Sequence, residues 1–194
     1  MTIIEQHLAE AHGLLTVVMQ DPKFVEAVEQ ATQVMINALR SGGGIYSCGN
    51  GGSMCDAMHF AEELSGRYRD DRAAYRAMSI SDPSHLSCVG NDYGYERVFS
   101  RFIEAMGKPG DVLLAISTSG NSRNVIAAAK AAQHIGMMVV GLTGKNGGEL
   151  STLCNVEVRV PWSGYADRIQ EVHIKIIHSL IAGIEVGMLA SEKR

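Results

Sequence analysis

Two loops and a handful of side chains carry the residue types that chemistry needs. The first loop is Gly49-Asn50-Gly51-Gly52-Ser53, with three glycines in its first four positions, directly after an apolar run and before a helical segment. Glycine lets backbone turn sharply and brings N–H groups against a ligand. Ser53 is placed to cap the following helix, whose positive end favours an anion. The loop lacks the Gly-Lys-Ser/Thr of a triphosphate loop, and Met54 stands at the third glycine position of a dinucleotide fingerprint, so no nucleotide cofactor is expected. The second loop, Ser117-Thr118-Ser119-Gly120-Asn121-Ser122, sets four hydroxyls and a glycine at the start of an Ala-rich helix. Capping needs one hydroxyl. Several, together with backbone N–H groups, surround a phosphate with no lysine required. Two such loops point to a phosphorylated ligand.

The titratable candidates flank these loops. His59 and Glu63 lie four apart in the helical segment after the first loop, so they share a face. Gln170 and His178 lie eight apart in the last helix, about 80° round its axis. Taken singly, His59 also reads as a hydrogen-bonded, half-buried histidine and Glu63 as a solvated helix residue beside Glu62. Glu171 and His173 flank Gln170 and compete for the same roles.

The elements that must bring these residues together are legible from periodicity. Ile4, Leu8, Ala11, Leu15 and Val18 recur at helical spacing, Asp21-Pro22 breaks the chain, and Val25, Val28, Ala31, Met35 and Leu39 resume the period. Strands are expected at 45–48, 77–81, 112–117, 138–142 and 156–160, the third and fourth as near-continuous apolar runs typical of covered parallel strands. Helices are expected at 54–64, 93–106, 124–135 and 166–189, the last with a stripe of Ile169, Val172, Ile176, Leu180, Ile184 and Met188. The alternation predicts an α/β fold: a five-stranded parallel sheet between helical layers, flavodoxin-like, preceded by two helices. In the strand order 2-1-3-4-5 a ligand binds between the first and third strands, and both unusual loops follow those strands.

Length and composition bound the function. The chain's 194 residues suit one domain spanning 1–194. With 17 Lys and Arg against 21 Asp and Glu and no basic cluster, nucleic acid is not an expected partner. No unbroken apolar run reaches the roughly 20 residues of a membrane span, and the N-terminus lacks a signal-peptide pattern, so a cytoplasmic protein with no membrane partner is expected. Cys48, Cys55, Cys88 and Cys154 have no metal or redox spacing and are expected as small buried residues without disulfides.

Several separated motifs resemble the phosphoheptose isomerases of the SIS (sugar isomerase) family. They are 47–53, 55–64, Gly66-Arg67-Tyr68-Arg69, Val89-Gly90-Asn91-Asp92, 117–122, and Tyr165-Ala166-Asp167-Arg168-Ile169-Gln170-Glu171. The resemblance runs from about residue 40 to residue 185 and implies a single SIS domain. It implies that Asn50, Gly51, Gly52 and Ser53 contact substrate, that Ser117, Thr118, Ser119 and Ser122 hold its phosphate, and that Asn91 and Asp92 meet the sugar chain. It also implies that Glu63 and Gln170 face substrate and that Arg67 and Asp167 support the site. His59, Glu63, Gln170 and His178 are implied as a zinc site, one ion per subunit, with Glu63 and His178 as catalytic base and acid. It further implies a homotetramer with active sites at subunit interfaces, residues 1–41 being a helical extension used in oligomerisation.

The implied reaction converts D-sedoheptulose 7-phosphate to D-glycero-D-manno-heptose 7-phosphate through an enediol, the first step toward nucleotide-activated heptose for the lipopolysaccharide core. Such an isomerisation needs a base for a carbon-bound proton and an acid for the oxygens. Zinc ligation and basicity compete for the Glu63 lone pair. The rival reading is a non-catalytic SIS tetramer that binds the bacterial replication initiator; it has Arg at the position of Ser119 and lacks acid–base residues at those of Glu63 and His178. Isomerases of other phosphosugars and sugar-phosphate-sensing regulators are weaker rivals, because the added domains that accompany several of them are missing from this sequence.

Overall fold

The computed structural model describes the backbone of residues 1–192 and the side chains of residues 1–190. Its sheet consists of β1 (Ile45–Cys48), β2 (Ala77–Ser79), β3 (Val112–Ser117), β4 (Met138–Gly144) and β5 (Val156–Val160), in the order β2-β1-β3-β4-β5. Every pairing is parallel. Alternate residues of the fully buried β3 feed opposite layers. Val112, Leu114 and Ile116 join a core shared with α1 (Ile3–Gln20), α2 (Pro22–Arg40), α3 (Gly52–Ser65) and α7 (Ala166–Glu192). Leu113 and Ala115 join the core under α4 (Pro83–Tyr93), α5 (Ser100–Met106) and α6 (Arg123–Ile135). This is the three-layer, flavodoxin-like architecture expected from the βα alternation.

Local signals set most boundaries. Thr2 and Glu5 form a reciprocal capping box at the start of α1. Asp21 accepts from the Lys23 N–H, with Pro22 in the first turn of α2. Gly136, left-handed at φ 90°, closes α6.

Five expectations need correction. The helix predicted over 93–106 is not continuous: α4 ends at Tyr93, Gly94, at φ 85° and ψ 156°, breaks the chain, and a 3-10 turn at Tyr95–Arg97 precedes α5. No helix was expected over α4 itself, which Asp82 caps by accepting from the His85 N–H at 2.8 Å. Of the α1 stripe only Val18 is buried, joined by Leu14 from outside it, and Ile4 and Leu8 stay 66% and 67% exposed. Cys48 is buried and all four cysteines are free, yet Cys55 and Cys88 are exposed. Finally, α7 does have the length and mean hydropathy to cross a membrane. Its apolar stripe is occupied elsewhere: Ile169, Val172, Ile176, Leu180 and Ile184 are buried in the core with the sheet, α2 and α3.

Candidate active site

The carboxyl ends of β1 and β3 lie side by side at the point where strand order reverses, so the two loops face one crevice. Gly51, at φ 55° and ψ −122°, is the N-cap of α3 and lends no side chain to the role. Ser53 is not that cap: it lies inside the first turn and is buried. A Cβ at Gly52 would come within 2.5 Å of Gln170 Nε2 on α7, so the glutamine side chain would have to give way. Gln170 thus lies against the first loop.

Asn50 spends its side chain within the protein. Its Nδ2 donates to Asn124 Oδ1 at 2.8 Å, and its Oδ1 accepts from Asn124 Nδ2 at 2.8 Å and from the Tyr95 hydroxyl at 3.2 Å. Asn124 is buried near the start of α6, so this reciprocal amide pair ties the loop after β1 to the loop after β3. Sequence reasoning missed Asn124; a lone asparagine on the apolar side of an Ala-rich helix was the available signal.

In the second loop, Ser117 Oγ donates to Ser122 Oγ at 3.0 Å, and Ser119 Oγ accepts from the Asn121 N–H at 3.1 Å. Gly120, at φ 65°, packs so tightly that a Cβ would lie 1.8 Å from the Gly147 carbonyl oxygen. Thr118, Ser119 and Ser122 are half-buried. Ser122 is the N-cap of α6 without using its hydroxyl as a cap, so hydroxyls and the first N–H groups of α6 remain for an anion.

The titratable cluster forms between α3 and α7. His59 Nε2 lies 2.9 Å from His178 Nε2, and the rings meet edge to face. Glu63 Oε1 is 3.6 Å from the same His59 nitrogen, while His59 Nδ1 is 3.1 Å from Glu62 Oε1. Glu62, which the sequence offers only as a neighbour of Glu63, thus lies against the other ring nitrogen of His59. Tyr68 stacks on His178 with centroids 5.8 Å apart. Partial burial, followed by the neighbouring His59 and Lys175, pushes the His178 pKa below its ordinary value against the pull of Glu63. The imidazole is therefore neutral at pH 7. Burial raises Asp56, one turn before His59, to about 6.

These donors suit a cation. Tetrahedral zinc with bonds of about 2.1 Å spaces its donor atoms roughly 3.4 Å apart, and the 2.9 and 3.6 Å separations bracket that spacing. His59, Glu62 and Glu63 also converge closely enough to share one ion.

Other expected residues occupy exposed positions. Arg67 is exposed on the segment after α3. Asn91 donates to Asp92 at 2.7 Å, both exposed at the end of α4. Asp167 is exposed in the first turn of α7 and accepts from the Arg168 N–H. Glu171 pairs with Arg168, and His173 is buried with Nε2 donating to the Thr143 carbonyl at 3.0 Å, so neither competes for the cluster.

Residues 6–144 match the SIS domain family model. The phosphoheptose isomerase of Cytophaga hutchinsonii is 61% identical over 188 residues, covering 97% of this chain and 98% of that protein. The phosphoheptose isomerase of Tolumonas auensis is 58% identical over 183 residues, covering 94% and 95%. Among solved structures, the phosphoheptose isomerase of Neisseria gonorrhoeae aligns with a TM-score of 0.88 at 40% identity, covering 94% of this chain and 97% of that one. The sugar-phosphate-complexed NanR protein of Vibrio vulnificus, at 18% identity and a TM-score of 0.69, shares the fold alone.

Proposed function

This chain belongs to the SIS domain family as a phosphoheptose isomerase, and on that premise we propose how its own residues perform the reaction. It is a ketose–aldose isomerase acting on sedoheptulose 7-phosphate. The observation that carries the assignment of roles is the meeting of His59 and Glu63 on α3 with His178 on α7, beside two donor-rich loops at the switch point. The non-catalytic, initiator-binding alternative is not favoured.

Ser117, Thr118, Ser119, Ser122 and the N–H groups opening α6 bind the phosphate. That pins the far end of the sugar and delivers the C1–C2 end to the α3–α7 cluster. The Asn50–Ser53 loop and Gln170 line the approach. Since the Asn50 amide is engaged by Asn124 and Tyr95, this loop serves the substrate through backbone N–H groups. Glu63 takes a proton from C1 while His178 donates a hydrogen to O2, giving the enediol. The Glu63 carboxyl exchanges its proton with solvent at the enediol stage and then delivers a proton to C2, while His178 recovers one from O1. One C–H bond breaks, one forms, and both side chains end as they began. A neutral imidazole suits the task because it polarises a carbonyl without forming an ion pair with the base.

His59, Glu63, Gln170 and His178 are the residues that would hold zinc, one per subunit. Bound there, zinc polarises substrate oxygens. Metal ligation and acceptance of a carbon-bound proton would compete for the same Glu63 lone pair, so a metal held there would be structural or regulatory in some states, or Glu63 would change coordination. Arg67, Asn91, Asp92 and Asp167 complete the site where subunits of a homotetramer meet. Their exposure in the single chain supports this, as do the outward apolar residues of the 1–41 helical extension. Four free cysteines suit the reducing cytoplasm.

The test is direct. Purified protein incubated with sedoheptulose 7-phosphate forms the corresponding aldose, and metal analysis of chelator-free protein finds about one zinc per chain, which His59→Ala loses. Absence of aldose sinks the catalytic assignment; a His59→Ala protein with full zinc content sinks the metal site.

A further inference from the structure

We propose that Arg72 is a positioning residue that holds Glu63 against His178, anchored by Glu185 on the helix that carries His178. The inference rests on Glu63 and His178 being the acid–base pair.

Arg72 lies in the irregular stretch between α3 and β2, where an arginine is ordinarily solvated. Here its side chain is only 2% exposed. Its NH2 donates to the Glu63 carbonyl at 2.7 Å, and NH1 donates to the carbonyls of Leu64 and Gly66, both at 2.9 Å, and of Ala73 at 3.1 Å. Its Nε donates to Glu185 Oε1 at 2.8 Å, and its plane lies 4.4 Å from the ring centre of Tyr75. Carbonyls of a last helical turn lack intrahelical partners and carry the negative end of the helix dipole. One rigid guanidinium fork satisfies those of Glu63 and Leu64 together, which a point-charge lysine is not shaped to do.

Three links tie this clamp to the reacting pair. The first is its bond to the backbone carbonyl of Glu63 itself. The second runs through α7: His178 and Glu185 are seven apart, about 700° round the axis, so they share the face turned toward α3. The third runs through the loop, because bonds to the Gly66 and Ala73 carbonyls close the 66–73 segment on itself. Tyr68 of that segment stacks on His178. The guanidinium thus fixes the end of α3, the register of α3 against α7, and the aromatic cover of the imidazole. The phosphate loop depends on none of these contacts.

Two variants test the role. Arg72→Lys keeps a cation beside Glu185 but loses the fork. Arg72→Gln combined with Glu185→Gln removes both charges, so neither is left buried alone. With near-UV circular dichroism unchanged, each variant is expected to lose roughly 10- to 100-fold in kcat. KM stays within about twofold, and the isotope effect on kcat with C1-deuterated substrate increases, which a smaller folded fraction cannot produce. A folded variant of either kind that keeps kcat within about twofold overturns the inference. So does loss of fold in both, which makes Arg72 a structural clamp only. Glu63→Gln measured alongside separates the failures: full turnover there removes the acid–base reading, whereas a dead Glu63→Gln beside fully active Arg72 variants removes only the positioning role.

Discussion

His59 and Glu63 point the same way because any helix aligns residues four apart, and that periodicity makes their half of the site readable from the chain. Their meeting with His178 is not readable in this way, since the two imidazoles are 119 residues apart. The same holds for Asn124, which occupies the Asn50 amide from 74 residues away, and for Arg72, which meets Glu185 across 113. Polar residues set in apolar helix faces or irregular loops were the hints, but partner identity exists only in three dimensions. His173 carries a prediction of its own. Burial lowers its pKa from 6.5 to about 4, against a hydrogen bond to Thr143 that pulls the other way. Between those values the unfolded chain binds the proton and the native chain does not, so stability is full above pH 6.5 and falls as pH drops toward 4. Denaturant unfolding is expected to lose about 2 kcal/mol between pH 7 and pH 5 from this group. His173→Gln flattens the dependence by that amount; an unchanged slope contradicts the assignment.

Elements were legible in proportion to their burial. β3 and β4 are continuous apolar runs and stand where expected, whereas α4 was missed because Leu86 and Val89 are its main apolar residues and only Val89 is buried. Phe99, Phe102, Ile103 and Met106 keep a helical rhythm, and Gly94 ends it by adopting a backbone few other residues accept. Ser53 failed as a cap because the turn needs the positive φ of Gly51 at the cap position itself. The phosphate loop depends on a comparable backbone demand. Gly120→Ala adds the cost of a left-handed alanine, roughly 1–2 kcal/mol, and drives a Cβ into the Gly147 carbonyl, so the loops after β3 and β4 must separate. Steady-state kinetics should show KM for the phosphosugar rising at least about tenfold, with a smaller loss in kcat. An unchanged KM places the phosphate elsewhere.

At the scale of the whole molecule, the single chain leaves apolar surface uncovered. Ile3, Ile4, Leu8, Val17, Met19 and Val25 of the first two helices are all more than 40% exposed, and exposed apolar patches mark contact surfaces. The helical period of α1 was legible, but the sequence does not say whether a stripe faces its own core or another copy. In a homotetramer of the proposed kind, light scattering reads four chains for the parent protein and fewer for Ile4→Glu with Leu8→Glu; an unchanged mass removes α1 from the interface. The account as a whole depends on the α3–α7 cluster moving a proton between adjacent carbons of a sugar pinned by the β3 loop. Isomerisation of sedoheptulose 7-phosphate in deuterated water tests that most directly. The parent protein is expected to place solvent deuterium at C2 of the aldose, and Glu63→Gln, still folded and still binding the phosphosugar, is expected to lose at least about a hundredfold in that incorporation. Incorporation at the parent rate in Glu63→Gln would contradict it.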